Sequence, residues 1–94
     1  MSAAVRLGDM STGHCYNPRA NVQGSPNVFI NGIASHRVGD FWPSHNCNDN
    51  SHSGVMASGS PNVFVNGLAM ARVGDSISCG DTAAAGSPNV FCNG

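Results

Sequence analysis

The sequence predicts an all-β fold made of three similar short β-hairpins closed into a ring. Three observations carry this expectation. Gly-Ser-Pro-Asn-Val-Phe occurs at residues 24–29, 59–64 and 86–91, each time followed by one further residue and then Asn-Gly. Arg-x-Gly-Asp occurs at residues 6–9, 37–40 and 72–75. No segment holds an apolar 3.6-residue period over several turns, so helices are not expected.

Each element can be justified from these phrases. In the middle copy, Asn62-Val63-Phe64-Val65 and Leu68-Ala69-Met70-Ala71 read as two strands joined by Asn66-Gly67. Asn-Gly is the preferred pair for a type I′ turn, where both central residues need positive φ. Pro61 is expected to start the first strand, where a missing N–H is tolerated. Residues 27–36 repeat the pattern. The third copy stops at Asn93-Gly94, at its turn, while the chain opens on Ala3-Ala4-Val5-Arg6-Leu7-Gly8-Asp9, a return strand without a partner. The first residues are therefore expected to complete the last hairpin, giving a pseudo-threefold body with the two termini side by side. The spacing from Gly24 to Arg37 and from Gly59 to Arg72 is 13 positions in both cases, whereas Asp9 to Gly24, Asp40 to Gly59 and Asp75 to Gly86 span 15, 19 and 11. A fixed frame with variable loops is the usual division between scaffold and site.

Composition narrows the function. The 94 residues form one domain, residues 1–94, with units at about 1–32, 33–67 and 68–94. At this size an apolar core is marginal, and the chain has one Trp, one Tyr and four Phe against 12 Gly and 5 Pro. Four Arg, no Lys and a net charge of −1 provide no basic footprint for nucleic acid. No apolar run is long enough for a membrane-spanning helix. The N-terminal residues lack the pattern of a signal peptide, so synthesis in a reducing cytoplasm is expected. There, four Cys and four His read more readily as metal ligands than as disulfides.

Aligned on Arg-x-Gly-Asp, the variable loops place metal-binding side chains in register. His14 lies five positions after Asp9, His45 five after Asp40, and Cys79 four after Asp75. The longest loop adds His52. Three imidazoles and one thiolate make a tetrahedral set suited to Zn2+, and a closed site of four protein ligands is structural. Cys15 and Cys47 compete with His52 for the fourth place. His52 is preferred because Cys15 adjoins His14, and adjacent side chains rarely bind one ion together. A Cys15–Cys47 disulfide after export is the alternative use of that pair. The plainer reading makes all of these surface histidines and a buried cysteine.

The remaining polar residues read as architecture. Asp9, Asp40 and Asp75 are expected to fix a tight turn after Gly, with Arg6, Arg37 and Arg72 pairing across units. His36 reads as an exposed strand histidine, Cys92 as a small buried apolar residue, and Trp42 with Pro43 as packing that holds the long loop down. No catalytic residue is assigned. A zinc enzyme using His14, His45 and Cys79, with water in the fourth position and Asp81 or Asp49 as base, is one rival reading. A free-standing carbohydrate binder using loop Asn residues and Trp42 is another.

Repeated Asn-Gly, Arg-Val-Gly-Asp, a His- or Cys-bearing loop and Gly-Ser-Pro-Asn-Val together resemble the PAAR-repeat family over essentially the whole chain. The eponymous Pro-Ala-Ala-Arg corresponds here to Ala34-Ser35-His36-Arg37, Ala69-Met70-Ala71-Arg72 and Ala3-Ala4-Val5-Arg6, without its proline. The resemblance implies a small cone of hairpins, one copy capping a trimeric β-helical spike protein (VgrG-like, or a phage central spike). It implies a structural Zn2+ near the apex held by His14, His45, His52 and Cys79. It also implies transient contact with a target membrane, attachment of separate effector proteins, and assembly in the cytoplasm before delivery outside the cell or in a virion tail. With no segment beyond the repeats, no fused toxin domain is expected.

Overall fold

The computed structural model describes residues 2–13, 18–47 and 50–92, with 45–47 and 50–52 described through their backbone alone. The described strands are β1 (Ser2–Ala3), β2 (Phe29–Ile30), β3 (Ile33–Ala34), β4 (Phe41–Cys47), β5 (Asn50–Val55), β6 (Phe64–Val65), β7 (Leu68–Ala69) and β8 (Phe91–Cys92). Among the described residues there is no helix. Each strand pairs with one other, all antiparallel: β1 with β8, β2 with β3, β4 with β5 and β6 with β7.

The two ends of the chain meet as expected. Ala3 faces Phe91 in the same register in which Ala34 faces Phe29 and Ala69 faces Phe64. The turns at Asn31-Gly32 and Asn66-Gly67 have φ of 55° and 77°, and 54° and 79°, as a type I′ turn requires.

The strands are shorter than the sequence pattern suggests. Each strand of the three repeated hairpins holds two residues, and Pro61 lies in a bend before β6 rather than at its start. The reason lies in the path of the chain beyond each return strand. Instead of extending the hairpin ladder, the chain crosses to the next unit, forming the bridges Ala4–Arg72, Ser35–Arg6 and Met70–Arg37. Alongside these bridges runs a cycle of backbone hydrogen bonds. The Val5 amide donates to Ala71 (3.1 Å), the Ala71 amide to His36 (3.0 Å), and the His36 amide to Val5 (3.0 Å). Leu7 donates to Ala34, Val38 to Ala69 and Val73 to Ala3, at 2.8 to 2.9 Å. Backbone groups that a two-stranded hairpin would leave unpaired are thus satisfied by neighbouring units.

The repeated phrases supply this frame. In Gly-Ser-Pro-Asn-Val, the buried hydroxyls of Ser25, Ser60 and Ser87 each accept from the two amides following Pro, at 3.2 and 2.9 Å in every copy. Gly is needed because a Cβ at Gly59 or Gly86 would lie 2.7 Å from a backbone carbonyl oxygen. In Arg-x-Gly-Asp, the Asp amide donates back to the Arg carbonyl at 3.0 Å in each copy, and Gly8, Gly39 and Gly74 have φ of 87°, 93° and 97°. This is a type II turn, which favours Gly at its third position.

Arg6, Arg37 and Arg72 do not find their carboxylates across units. Each guanidinium grips the Asp of its own phrase, with Nε to Oδ2 at 3.0, 2.9 and 3.0 Å and Nη2 to Oδ1 at 3.1, 2.9 and 2.8 Å. The same Oδ2 also accepts the Arg backbone amide. Three residues of separation suit this fork, so the pair closes its own turn. The link across units is made by the remaining nitrogen: Arg6 Nη1 reaches Asn31 Oδ1 at 3.4 Å, and Arg37 Nη1 reaches Asn66 Oδ1 at 3.1 Å.

The apolar core is small: Val5, Trp42, Met56, Ala71, Ile77 and Ala83, with Val73 and Cys79 packed against it. Trp42 and Cys92 are buried as expected. His36, by contrast, is not an exposed residue. It is fully buried, with its ring edge-on to Trp42 at 5.3 Å. It occupies the place held by Val5 and Ala71 in the other units, and that place faces the interior.

Candidate functional site

The variable loops are tied to one another by backbone bonds. In the first, the Ser11–Ala83 bridge and the Thr12 amide donating to Thr82 at 2.9 Å fix the segment that leads into residue 14 against the third loop. The Thr12 hydroxyl adds a 2.7 Å bond to Asp81 Oδ1. The second and third loops meet at the Met56–Ile77 bridge, and the Ser78 amide donates to Val55 at 2.9 Å. Gly54 allows this approach, because a Cβ there would lie 3.0 Å from Ile77 Cγ2 and 3.3 Å from the Cys79 nitrogen.

The long loop is itself a hairpin, β4–β5, with an irregularity between Trp42 and His45. Its register makes His45 and His52 directly opposed Cα partners. Directly opposed positions of an antiparallel pair are about 4.5–5.5 Å apart at Cβ. Two of the expected ligands therefore start from neighbouring backbone. Cys47 is opposed to Asn50, farther along the hairpin.

Cys79 is a half-buried free thiol at a tight turn, where the Gly80 amide donates to Ile77 and the Ile77 amide to Asp81, both at 2.9 Å. His14, Cys15 and Asp49 lie outside the described residues, as do the side chains of His45, Cys47 and His52. Among the described side chains there is no group of three His, Cys, Asp or Glu placed to share an ion. The His45–His52 pair sits on a hairpin packed against the Cys79 loop, and the segment entering His14 is tied to that same loop. A set of three imidazoles and one thiolate is a zinc donor set.

Two further polar groups are buried in ways that the sequence reading does not anticipate. Asp81 is 2% exposed and accepts from both the Thr12 hydroxyl and the Thr82 amide at 2.7 Å. The His36 imidazole is fully buried. Burial pushes its imidazole below the ordinary value, against raising effects from the Gln23 carbonyl and the Asp40 carboxylate. Its Nδ1 donates to the Gln23 carbonyl at 2.6 Å, while Nε2 is buried without a partner. The apolar residues at the equivalent positions, Val5 and Ala71, are the signal that marks position 36 as interior.

A second surface is apolar and repeated. Phe29, Phe64 and Phe91 occupy the same register position in the three hairpins and are 58%, 60% and 49% exposed. Ile33 and Leu68 beside their turns are also exposed. Large exposed apolar groups at matched positions are characteristic of a contact surface.

A search of the curated proteins gave no match. The family model described as PAAR motif matches residues 46–94, which takes in the second half of the long loop, two Gly-Ser-Pro-Asn-Val phrases and the last Arg-Val-Gly-Asp. The chain belongs to the PAAR-motif family, a structural family associated with the spike tip of type VI secretion systems.

Proposed function

We propose that this chain is the sharpened tip of a membrane-piercing spike, one copy capping the end of a trimeric β-helical spike protein. The observation that carries the reading is the cycle Val5–Ala71–His36, in which each unit donates one backbone hydrogen bond to the next and the last returns to the first. This connectivity supports reading the single chain as a pseudo-threefold cone suited to a threefold partner. Phe29, Phe64 and Phe91 supply three equivalent apolar contacts for the three chains beneath. A trimeric β-helix ends in unpaired strand edges, which a covering domain protects from wrong pairing. The body measures 37 × 23 × 22 Å, long along one axis with nearly equal cross-axes.

The opposite end is pinned by one Zn2+ held by His14, His45, His52 and Cys79. The opposed His45–His52 positions and the packing of Gly54 on the Cys79 loop support this set. The role is mechanical, and the structural ion holds together loops that would otherwise fray. Separate effector proteins attach to the tip. The protein assembles in the cytoplasm and leaves the cell on the spike.

The decisive experiment mixes the purified chain with a trimeric β-helical spike and measures the assembly by native mass spectrometry. One copy per trimer is expected, with one zinc per copy by elemental analysis. A 3:3 assembly, or none, would overturn the reading.

A further inference from the structure

We infer that Asp81 is a positioning residue for the metal centre, joining the loop that carries Cys79 to the segment that delivers His14; this rests on the metal site proposed above. Four observations converge on it. Asp81 is 2% exposed, in a chain whose other described aspartates serve the Arg-x-Gly-Asp turns. Its Oδ1 accepts the Thr12 hydroxyl at 2.7 Å, and Thr12 lies two positions before His14. The same oxygen accepts the Thr82 amide at 2.7 Å, which orients the carboxylate on its own loop. Its backbone carbonyl accepts the Ile77 amide at 2.9 Å, closing the turn that holds Cys79.

One side chain thus bridges the two loops at the residues flanking two expected ligands. Among the described residues no carboxylate makes the same bridge in the other units. Met56 and Asn21 align with Ala83 through the bonds each makes to the turn Asp, and neither loop carries a carboxylate two positions earlier, where Gly54 and Arg19 stand. Asp81 therefore belongs to the loops rather than to the repeated frame. A buried carboxylate beside a metal set commonly fixes ligand orientation, and loss of such a partner lowers metal affinity by roughly 10–100-fold.

The test compares wild type, Asp81→Asn, Thr12→Val and Thr12→Ser as full chains. Zinc affinity is read by competition with a chromophoric chelator, and geometry by the thiolate charge-transfer and d–d bands of the cobalt(II) form. Asp81→Asn and Thr12→Val are expected to weaken zinc binding about 10–100-fold, to shrink the rise in melting temperature that zinc produces, and to alter the cobalt bands. Thr12→Ser, which keeps the hydroxyl, is expected to behave as wild type. A purely structural tie would lower the melting of metal-free and zinc-loaded protein equally and leave the zinc increment intact, which would overturn the inference. Thr12 is exposed, so its variant remains informative if Asp81→Asn does not fold. Wild type that takes up no zinc would instead overturn the metal site itself.

Discussion

The His36 amide donates to the Val5 carbonyl at 3.0 Å, and neither residue has any exposure to solvent. This bond closes the ring between the first and second units and places an imidazole where the other units carry Val and Ala. The cost is visible in the orphaned Nε2. Around the ring stand Asp40, with Oδ2 3.9 Å from Nδ1, then Arg37 and Asp9. Desolvation outweighs the net attraction, so the folded imidazole binds its proton less readily than the unfolded one, whose ordinary value is 6.5. The contribution to stability is therefore full above that value and is lost as pH falls below it. His36→Val should cost stability at pH 7.5, where the Gln23 carbonyl loses its donor, by about 1–3 kcal/mol. That deficit should narrow by pH 5, because only wild type carries the titrating group. Paired denaturation curves at the two pH values check this, and a deficit independent of pH would exclude His36 as the source.

The Arg37–Asp40 fork is the least exposed of the three, with side chains 10% and 2% accessible, against 15% and 13% for Arg6–Asp9. The Asp40 hydrogen bond raises the Arg37 guanidinium above its already high ordinary value, so the guanidinium stays protonated throughout the working range. Asp40→Ala leaves a buried cation and an unpaired backbone amide. A loss of about 3–5 kcal/mol is expected, with a smaller one for Asp9→Ala. Equal losses in chemical denaturation would show that burial does not grade these pairs.

Gly59 and Gly86 have matching surroundings. A Cβ would meet Met70 O, Val38 Cγ2 and Ala69 Cβ in one case and Ala4 O, Val73 Cγ2 and Ala3 Cβ in the other, at 2.7, 3.0 and 3.1 Å in both. The first set lies along continuous chain, and the second depends on the two termini meeting. Both Ala variants should be destabilised alike, by about 1–3 kcal/mol. If Gly86→Ala were silent while Gly59→Ala was costly, the closure at the termini would not be part of the stable fold.

Much of this frame is legible in the sequence because the third hairpin is divided between the chain ends. Asn93-Gly94 without a return strand and Ala3-Ala4-Val5-Arg6 without a partner can be satisfied together. Strand length is not legible, since a residue such as Ala4 looks strand-like whether it pairs within its hairpin or bridges to Arg72. His36 reads as exposed for a related reason. Alternation in an isolated hairpin gives each strand an outer face, but the backbone cycle turns position 36 inward, as its apolar counterparts Val5 and Ala71 indicate. The Arg–Asp pairing obeys the short spacing inside each phrase, and the link across units falls to Asn31 and Asn66 instead. At the proposed metal site, loop alignment selects His45 and the length of the same loop adds His52, and the structure makes these two directly opposed. Asp81 enters the sequence reading only as a possible base of a zinc enzyme, because its bond to Thr12 depends on that residue arriving from a distant loop.

The opposed positions of His45 and His52 give a sharp expectation for metal removal. If both bind zinc, His52→Ala should lose the ion or hold it far more weakly, and its melting should approach that of chelator-treated wild type. Cys47→Ser, on the pair nearer the hairpin tip, should retain one zinc per chain. Elemental analysis separates the two. Retention in His52→Ala with loss in Cys47→Ser would move the fourth ligand to Cys47.

Phe29, Phe64 and Phe91 are each at least 49% exposed, so truncating them removes little packing from the folded chain. Single Phe→Ser variants should melt within about 0.5 kcal/mol of wild type, as surface changes usually do. Bound to a trimeric spike, each buried ring would contribute about 1.5–3 kcal/mol. Each single variant should therefore weaken association by a similar factor, of roughly 10-fold or more, and the triple variant should abolish measurable binding while remaining folded and zinc-loaded. Titration calorimetry against the spike, with melting measured in parallel, distinguishes lost contact from lost fold. Three unequal effects, with one Phe dominant, would point to an asymmetric partner rather than a threefold one.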